Sequence, residues 1–268
     1  LGGAKLTSVT ALRRWNVGAG TDLDHTSADR FHREPTEADG MTKIRTFSQD
    51  LRLSAEGGKL DWLVGVSWSD ERLDRNEGTR IGSAYESFLS IDTLSRINPL
   101  LASSPTAALF FSQASGRPFG TVFAGHSTAD TYRQKYTSLA LFTNNTWHAT
   151  DRLDLTFGFR YTFDDKELAS TYSNPNGGLG CGAMLTNPAQ VVAALVARGL
   201  TVAQASAAAP NLVGIACAPW TNVRHNGRAT SQELNNDEWA GHVRLTYRLD
   251  DNALVYASAA RGYKVGGF

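Results

Sequence analysis

Leu153-Asp-Leu-Thr-Phe-Gly-Phe-Arg-Tyr-Thr-Phe163 decides the fold class, together with the arm before it, Leu139-Ala-Leu-Phe-Thr-Asn-Asn-Thr-Trp147, and the turn at Ala149 to Arg152 that joins them. In an extended chain Leu153, Leu155, Phe157, Phe159, Tyr161 and Phe163 fall on one side, while Asp154, Thr156, Gly158, Arg160, Thr162 and Asp164 fall on the other, because side chains alternate with period two. A half-buried soluble strand also alternates, but six successive large apolar residues exceed its usual length. A lipid-facing strand needs about 9 to 11 residues. The expected class is therefore all-β, an antiparallel transmembrane β-barrel.

The neighbouring stretches repeat the pattern. Lys43 to Glu56 sets Phe47, Leu51 and Leu53 against Thr46, Ser48, Asp50, Arg52 and Ser54. Leu60 to Asp70 sets Leu60, Trp62, Val64, Val66 and Trp68 against Asp61, Gly65, Ser67 and Ser69. Asp237 to Leu249 sets Trp239, Val243, Leu245 and Tyr247 against Glu238, His242, Arg244, Thr246 and Arg248. Lys5 to Trp15 and Ala253 to Tyr263 complete seven strands, with their lipid side left open. Tight turns are expected at Gly57 to Lys59, Ala149 to Arg152 and Asp250 to Asn252, the glycines of the first supplying the positive φ of hairpin turns.

Between these strands lie long connections at Asn16 to Met41, Glu71 to Asp130 and Lys166 to Asn235. The second is broken by Pro99, Pro105 and Pro118 and carries a short helix near Tyr85 to Ile97. The third carries a helix over Ala189 to Arg198, with Asn187 as N-cap, Pro188 as first helical residue and Gly199 at its end. Outer-membrane barrels alternate short periplasmic turns with long external loops, whereas structureless loops beyond about 12 to 15 residues are uncommon in compact soluble domains. That asymmetry places Trp62 and Trp147 at the inner aromatic girdle. Trp68, nearer mid-strand, is read as an ordinary core residue.

Composition agrees without deciding. The chain is 41% hydrophobic with a mean hydropathy of -0.28, and no run of 18 apolar residues offers a transmembrane helix, which says nothing against strands. Twenty-six basic residues balance 26 acidic ones, so a nucleic-acid partner is not expected. Cys181 and Cys217 are the only cysteines; they fit one disulfide in an oxidising compartment better than a metal site. The chain opens on Leu1-Gly2-Gly3 with no initiator Met or signal peptide, and it reads as a piece of something longer.

Four phrases carry a resemblance: Phe47-Ser-Gln-Asp-Leu-Arg-Leu53, Gly58-Lys-Leu-Asp-Trp-Leu-Val-Gly-Val66, Thr150-Asp-Arg-Leu-Asp-Leu-Thr-Phe-Gly-Phe-Arg-Tyr-Thr162 and Leu254-Val-Tyr-Ala-Ser-Ala-Ala-Arg-Gly-Tyr-Lys-Val-Gly-Gly-Phe268. In that order they resemble the TonB-dependent outer-membrane receptors. The resemblance implies a plugged barrel of 22 strands that takes up scarce nutrients, commonly ferric siderophores, with energy passed from the TonB complex. Its partners would be outer-membrane lipid, the TonB complex and a small ligand such as a metal chelate, with no cofactor and no enzymatic step. No segment resembles the plug or the short energy-coupling box, so residues 1–268 read as part of the barrel domain. Alone, an open sheet of this kind is expected to aggregate.

Candidate ligand contacts are cationic and aromatic groups of the external loops: His25, Arg30, His32 and Arg33 in the first, Trp220, Arg224, His225 and Arg228 in the last. They suit an anionic chelate through charge-assisted hydrogen bonds and stacking, although a solvated loop, the default for charged residues at exposed positions, is the preferred explanation of such charges. The spacing of His25 and His32 matches no familiar metal-ligand pattern. Asp50, Arg52, Asp154, Arg160, Glu238, Arg244 and Arg248 are assigned to the lumen, because an arginine turned into lipid costs about 2–4 kcal/mol near the midplane. Ser48 or Ser67 with His148 or His242 would be the raw material of a hydrolase, but no Gly-x-Ser-x-Gly motif accompanies them. A non-energised porin or secretion barrel and a soluble glycan-binding β-sandwich are the alternative readings.

Overall fold

The computed structural model describes residues 3–174, 179–218 and 226–268. Its strands are β1 (Lys5–Gly18), β2 (Thr21–Asp22), β3 (Phe31–Arg33), β4 (Met41–Ala55), β5 (Leu60–Ile81), β6 (Gly125–Thr150), β7 (Leu153–Thr171), β8 (Ala229–Arg248) and β9 (Leu254–Arg261). The long strands form one antiparallel sheet in the order β1-β4-β5-β6-β7-β8-β9, and the small β2–β3 hairpin joins it by pairing β3 with β5. A sandwich would need a second sheet packed on the first. Among the described residues there is one sheet, open at β1 and β9, as in part of a barrel wall.

Residues directly opposite in register share a face, so register builds the apolar belt row by row. Leu51 faces Val66, Val66 faces Leu141, Leu141 faces Tyr161, and Tyr161 faces Trp239. Leu6 and Leu12 of β1 oppose Leu53 and Phe47, and Val255 of β9 opposes Tyr247; this sets the lipid side of both terminal strands. Phe157, Phe159, Phe163 and Leu141 remain 45–56% exposed. Contiguous apolar exposure on this scale marks a surface whose solvent is not water. Thr143 and Asn145 sit inside the belt and are satisfied locally: Asn145 Nδ2 donates to Thr143 Oγ1 at 2.8 Å, which donates to the Leu63 carbonyl at 2.8 Å. Lipid requires such internal pairing.

The strands run further than the sequence pattern predicts. β5 continues from Asp70 to Ile81, β6 begins at Gly125, β7 continues through Lys166 to Thr171, and β8 begins at Ala229. The reason is a reversal of phase. Ile44, Leu73 and Leu168 lie on the face shared with Asp50 and Arg160, while Asp70, Arg72, Asp165 and Glu167 continue the belt face beyond Trp68 and Phe163, and Arg45 continues it beyond Phe47. Beyond the belt the outer face meets water, so the apolar residues change sides and the alternation no longer matches the template. Trp68 is not a packed core residue. It is 39% exposed on the belt face against Phe47, with ring centroids 5.5 Å apart, because it marks the outer limit of the belt on a strand that keeps going.

The two longest connections fold together. The β5–β6 connection contains α1 (Tyr85–Ile97), α2 (Pro99–Ala102), a short 3-10 turn (Ala107–Leu109) and α3 (Phe110–Ser115); the β7–β8 connection contains α4 (Leu179–Thr186), α5 (Pro188–Val196) and α6 (Val202–Cys217). Leu94, Phe110, Phe111, Phe123, Met184 and Leu195 are at most 1% exposed and form one core drawn from both connections. The helix at Tyr85 matches expectation, and Pro188 occupies the first helical turn as expected. Asn187 stands at the N-cap but makes no side-chain cap bond; its amide donates instead to Gln190 Oε1 at 3.3 Å. α6 was not anticipated. Thr201 Oγ1 accepts from Gln204 N at 3.3 Å and Gln204 Oε1 accepts from Thr201 N at 3.0 Å, a capping box whose Thr-x-x-Gln signature is visible in sequence.

Candidate functional site

The inner face of the sheet is built first by alternation and then by glycine. Gly65 lies directly opposite Phe142, and a Cβ at Gly65 would come within 2.4 Å of the Phe142 ring. Gly158 lies opposite His242, whose ring would meet a Cβ there at 2.3 Å. Each glycine makes room for a ring to lie flat along the wall. Arg52 and Arg160 then stack toward the Phe142 ring, each at 5.8 Å.

Register places Asp50, Arg52, Asp154, Arg160, Glu238, Arg244 and Arg248 on this one face. They are joined into short networks rather than left as separate charges. Arg52 is paired with Asp50 at 2.5 Å. Arg160 donates to Thr162 Oγ1 at 3.1 Å and to Ser67 Oγ at 3.2 Å. Asp154 receives Arg248 at 2.6 Å and His148 Nδ1 at 2.7 Å, and His148 Nε2 reaches Asp61 at 3.0 Å. Arg244 lies 4.5 Å from the Tyr256 ring, and Glu238 pairs with Arg261 at 2.9 Å. Ser67 is thus engaged by an arginine and His148 by two carboxylates, an arrangement that holds a wall together.

The first loop is fixed by its own carboxylates. Asp24 accepts from the Thr26 hydroxyl, from Phe31 N at 2.9 Å and from Arg30 at 3.2 Å, and these bonds, the Thr26 hydroxyl first, hold its carboxyl well below the usual range. Asp29 is lowered chiefly by the Ser83 backbone N–H at 2.8 Å. Asp39 is fully buried; burial would push its carboxyl up, but hydrogen bonds to Arg80 and His126 bring it below its ordinary value. This carboxylate staples the first loop to the tops of β5 and β6. The run Asp22-Leu-Asp-His-Thr-Ser-Ala-Asp29 carries a sequence signal for the local turns at Asp22 and Asp24, since Asp and Thr at these spacings make side-chain turns.

Among the predicted loop contacts, Arg30 lies over the Phe88 ring at 4.4 Å, His32 sits 2.9 Å from Asp29, and Arg33 is paired with Glu77 at 2.7 Å while donating to the Gly78 carbonyl at 3.0 Å. These three anchor the loop to its surroundings. His25 is exposed, with a left-handed φ of 55°. Arg228 lies over the Tyr172 ring at 5.4 Å. Trp220, Arg224 and His225 lie outside the described residues.

Above the wall stands the helical cap. Cys181 and Cys217 are joined as a disulfide that ties α4 to the end of α6. The two connections meet through Gly180 N and the Val122 carbonyl at 3.0 Å, and through Arg198, which donates to the Thr106 carbonyl at 2.8 Å and to Gln113 Oε1 at 2.9 Å. Glu86 of α1 is buried within the cap and accepts from Gly120 N at 2.9 Å; burial raises its carboxyl above the ordinary value. A groove of about 460 Å³ opens between α4, α5 and α6, lined by Met184, Leu185, Pro188, Val192, Ala209 and Val213.

A lipid-facing belt, a polar inner face, short turns at one end and long folded loops at the other define a section of an outer-membrane β-barrel. The family model described as TonB dependent receptor-like, beta-barrel matches residues 3–268, and the chain belongs to that family. Members of this family are outer-membrane transporters of Gram-negative bacteria. Among solved structures, the ferric yersiniabactin uptake receptor FyuA from Yersinia pestis is similar at 13% identity and a TM-score of 0.52, covering 96% of this chain and 25% of that one. The ferric-catecholate import receptor Fiu from E. coli K12 aligns at 12% identity and a TM-score of 0.47, covering 97% of this chain and 33% of that one. The chain therefore spans a quarter to a third of the length of these receptors. A search of curated proteins finds no match.

Proposed function

We propose that residues 1–268 form part of the barrel domain of an outer-membrane receptor that takes up a scarce nutrient, with a ferric siderophore as the ligand class and TonB as the source of energy. The observation that carries this reading is the match to the receptor barrel family across residues 3–268. Charge on the inner face supports an anionic chelate, since Arg52, Arg160 and Arg244 lie beside aromatic rings there, the pairing of cation and π-face that grips such ligands. The proteins resembling it in fold include receptors whose names specify ferric yersiniabactin and ferric catecholate. The chain acts by binding and release, with no covalent step.

The test is uptake of ⁵⁵Fe-labelled siderophores by the native bacterium, by an in-frame deletion of the gene, and by a strain lacking TonB. The expected result is loss of uptake of at least one siderophore in both mutants. Uptake that vanishes in the deletion but survives without TonB would replace the active receptor with a passive pore, and unchanged uptake of the whole panel would remove the siderophore class.

A further inference from the structure

Residues 179–218, the helical half of the cap that the β7–β8 connection contributes, contain a single charged side chain, Arg198. It is set against the other half. Nη2 donates to the Thr106 carbonyl at 2.8 Å and to Gln113 Oε1 at 2.9 Å, and the guanidinium lies 5.6 Å from the centre of the Phe110 ring. All three partners are neutral. Nη1 is buried and meets no acceptor among the described residues, and burial lowers the guanidinium from its ordinary value with no carboxylate to offset it. The carboxylates of the facing helix α1 are engaged elsewhere: Asp92 holds Arg96 through both oxygens, at 2.8 and 3.2 Å, and Glu86 turns to the N–H groups of Gly120 and Val122. A partly buried cation is ordinarily paired, and a buried donor ordinarily satisfied. Here neither condition is met.

Beside Arg198 a groove of about 600 Å³ follows the seam between the two halves. Ile97 and Leu101 border it from the α1–α2 side, Leu200, Ala207 and Ala208 border it from the other, and Arg198 is its only charged residue. Its size falls within the range of small-molecule pockets, about 300–1,000 Å³. We infer that this groove binds an organic carboxylate with a short apolar body, its carboxylate on Arg198 and its carbon chain along Leu101 and Leu200. Charge and lining together fix the class. A guanidinium fork matches a carboxylate in shape and sign, a small inorganic anion leaves the apolar walls in water, and a neutral chain leaves the cation uncompensated. Because the walls come from both connections, whereas the Cys181–Cys217 disulfide lies within one, the occupant ties the two halves together. The inference rests on the cap alone and adds a site separate from the inner face of the wall.

Isothermal titration calorimetry of the whole natural protein that carries this cap, in a neutral detergent, tests it with hexanoate, hexan-1-ol, hexylammonium and acetate. Hexanoate is expected to bind about tenfold or more tightly than each of the other three. Arg198→Met should weaken hexanoate binding by about tenfold or more, whereas Arg198→Lys, which keeps the charge, should retain a preference for hexanoate over hexan-1-ol. Ala207→Phe fills the groove from an exposed helix position and leaves the bonds of Arg198 in place. It should abolish hexanoate binding while amide exchange in α3 and α5 stays at the wild-type rate, and it decides the matter if Arg198→Met loosens the cap. Equal affinity for hexanoate and hexan-1-ol, or undiminished hexanoate binding by Ala207→Phe, overturns the proposal. Neither result touches the uptake reading, which the ⁵⁵Fe experiment tests separately.

Discussion

In the barrel wall Phe157 and Phe159 are 45% and 47% exposed, whereas in the cap Phe110 and Phe111 are 0% exposed. The same side chain has been given two solvents within one chain. In the wall, backbone pairing between strands supplies the structure and apolar side chains are turned outward to lipid, so stability does not depend on a packed interior. The cap has no such sheet; its short helices hold together because Phe111, Phe123 and Leu195 are removed from water. The contrast teaches where each region is vulnerable: the cap to loss of volume, the wall to gain of charge.

The largest expected effect lies in the cap. Phe111→Ala should cost about 3–5 kcal/mol, read as faster hydrogen exchange across α1, α3 and α5 with unchanged exchange in β6 and β7. Next comes the disulfide: Cys181→Ser with Cys217→Ser should cost the β7–β8 connection roughly 3–4 kcal/mol by loop entropy, measured the same way against a reduced wild-type sample. The wall answers to a different change. Phe159→Arg should cost about 2–4 kcal/mol in bilayer refolding titrations, while Asn144→Arg, at an exposed position on the opposite face, should disturb refolding far less. If both arginines cost the same, the distinction between the faces is lost.

The smallest effect is a pH dependence confined to the cap. Because burial raises the Glu86 carboxyl, the folded cap binds that proton more tightly than the unfolded loop does. Cap stability is then fully present below the usual carboxyl range and declines as pH rises through the raised value. Glu86→Gln should flatten this slope, measured by hydrogen exchange at Gly120 and Val122, whose N–H groups face the carboxylate. A slope that persists in the variant would point to another group.

How much of this was legible follows from the period of the signal. Leu153 to Phe163 has a period of two with one face wholly apolar, so its strand and its sidedness could be read directly. At Leu73 and Leu168 the period continues, but the apolar side has changed; a reading tuned to lipid took the continuation for loop. The cap was harder. Tyr85 to Ile97 and Pro188 onward carry helix signals of their own, but nothing local says that Phe111 and Leu195, which belong to different connections, share a core. The inner face was legible as polar, whereas its pairings were not: that His148 bridges Asp61 and Asp154 follows from strand register, which depends on residues 87 and 6 positions away.

The disulfide has a further consequence. Both cysteines belong to the β7–β8 connection, so the covalent bond fixes the outline of one lobe of the cap and spans no part of the other. What joins the lobes is reversible: the packing of Phe111 and Phe123 with Met184, Val191 and Leu195, and the hydrogen bonds of Gly180 and Arg198. Each lobe is rooted in its own pair of strands, and among the described residues the seam between them is closed by packing and hydrogen bonds alone.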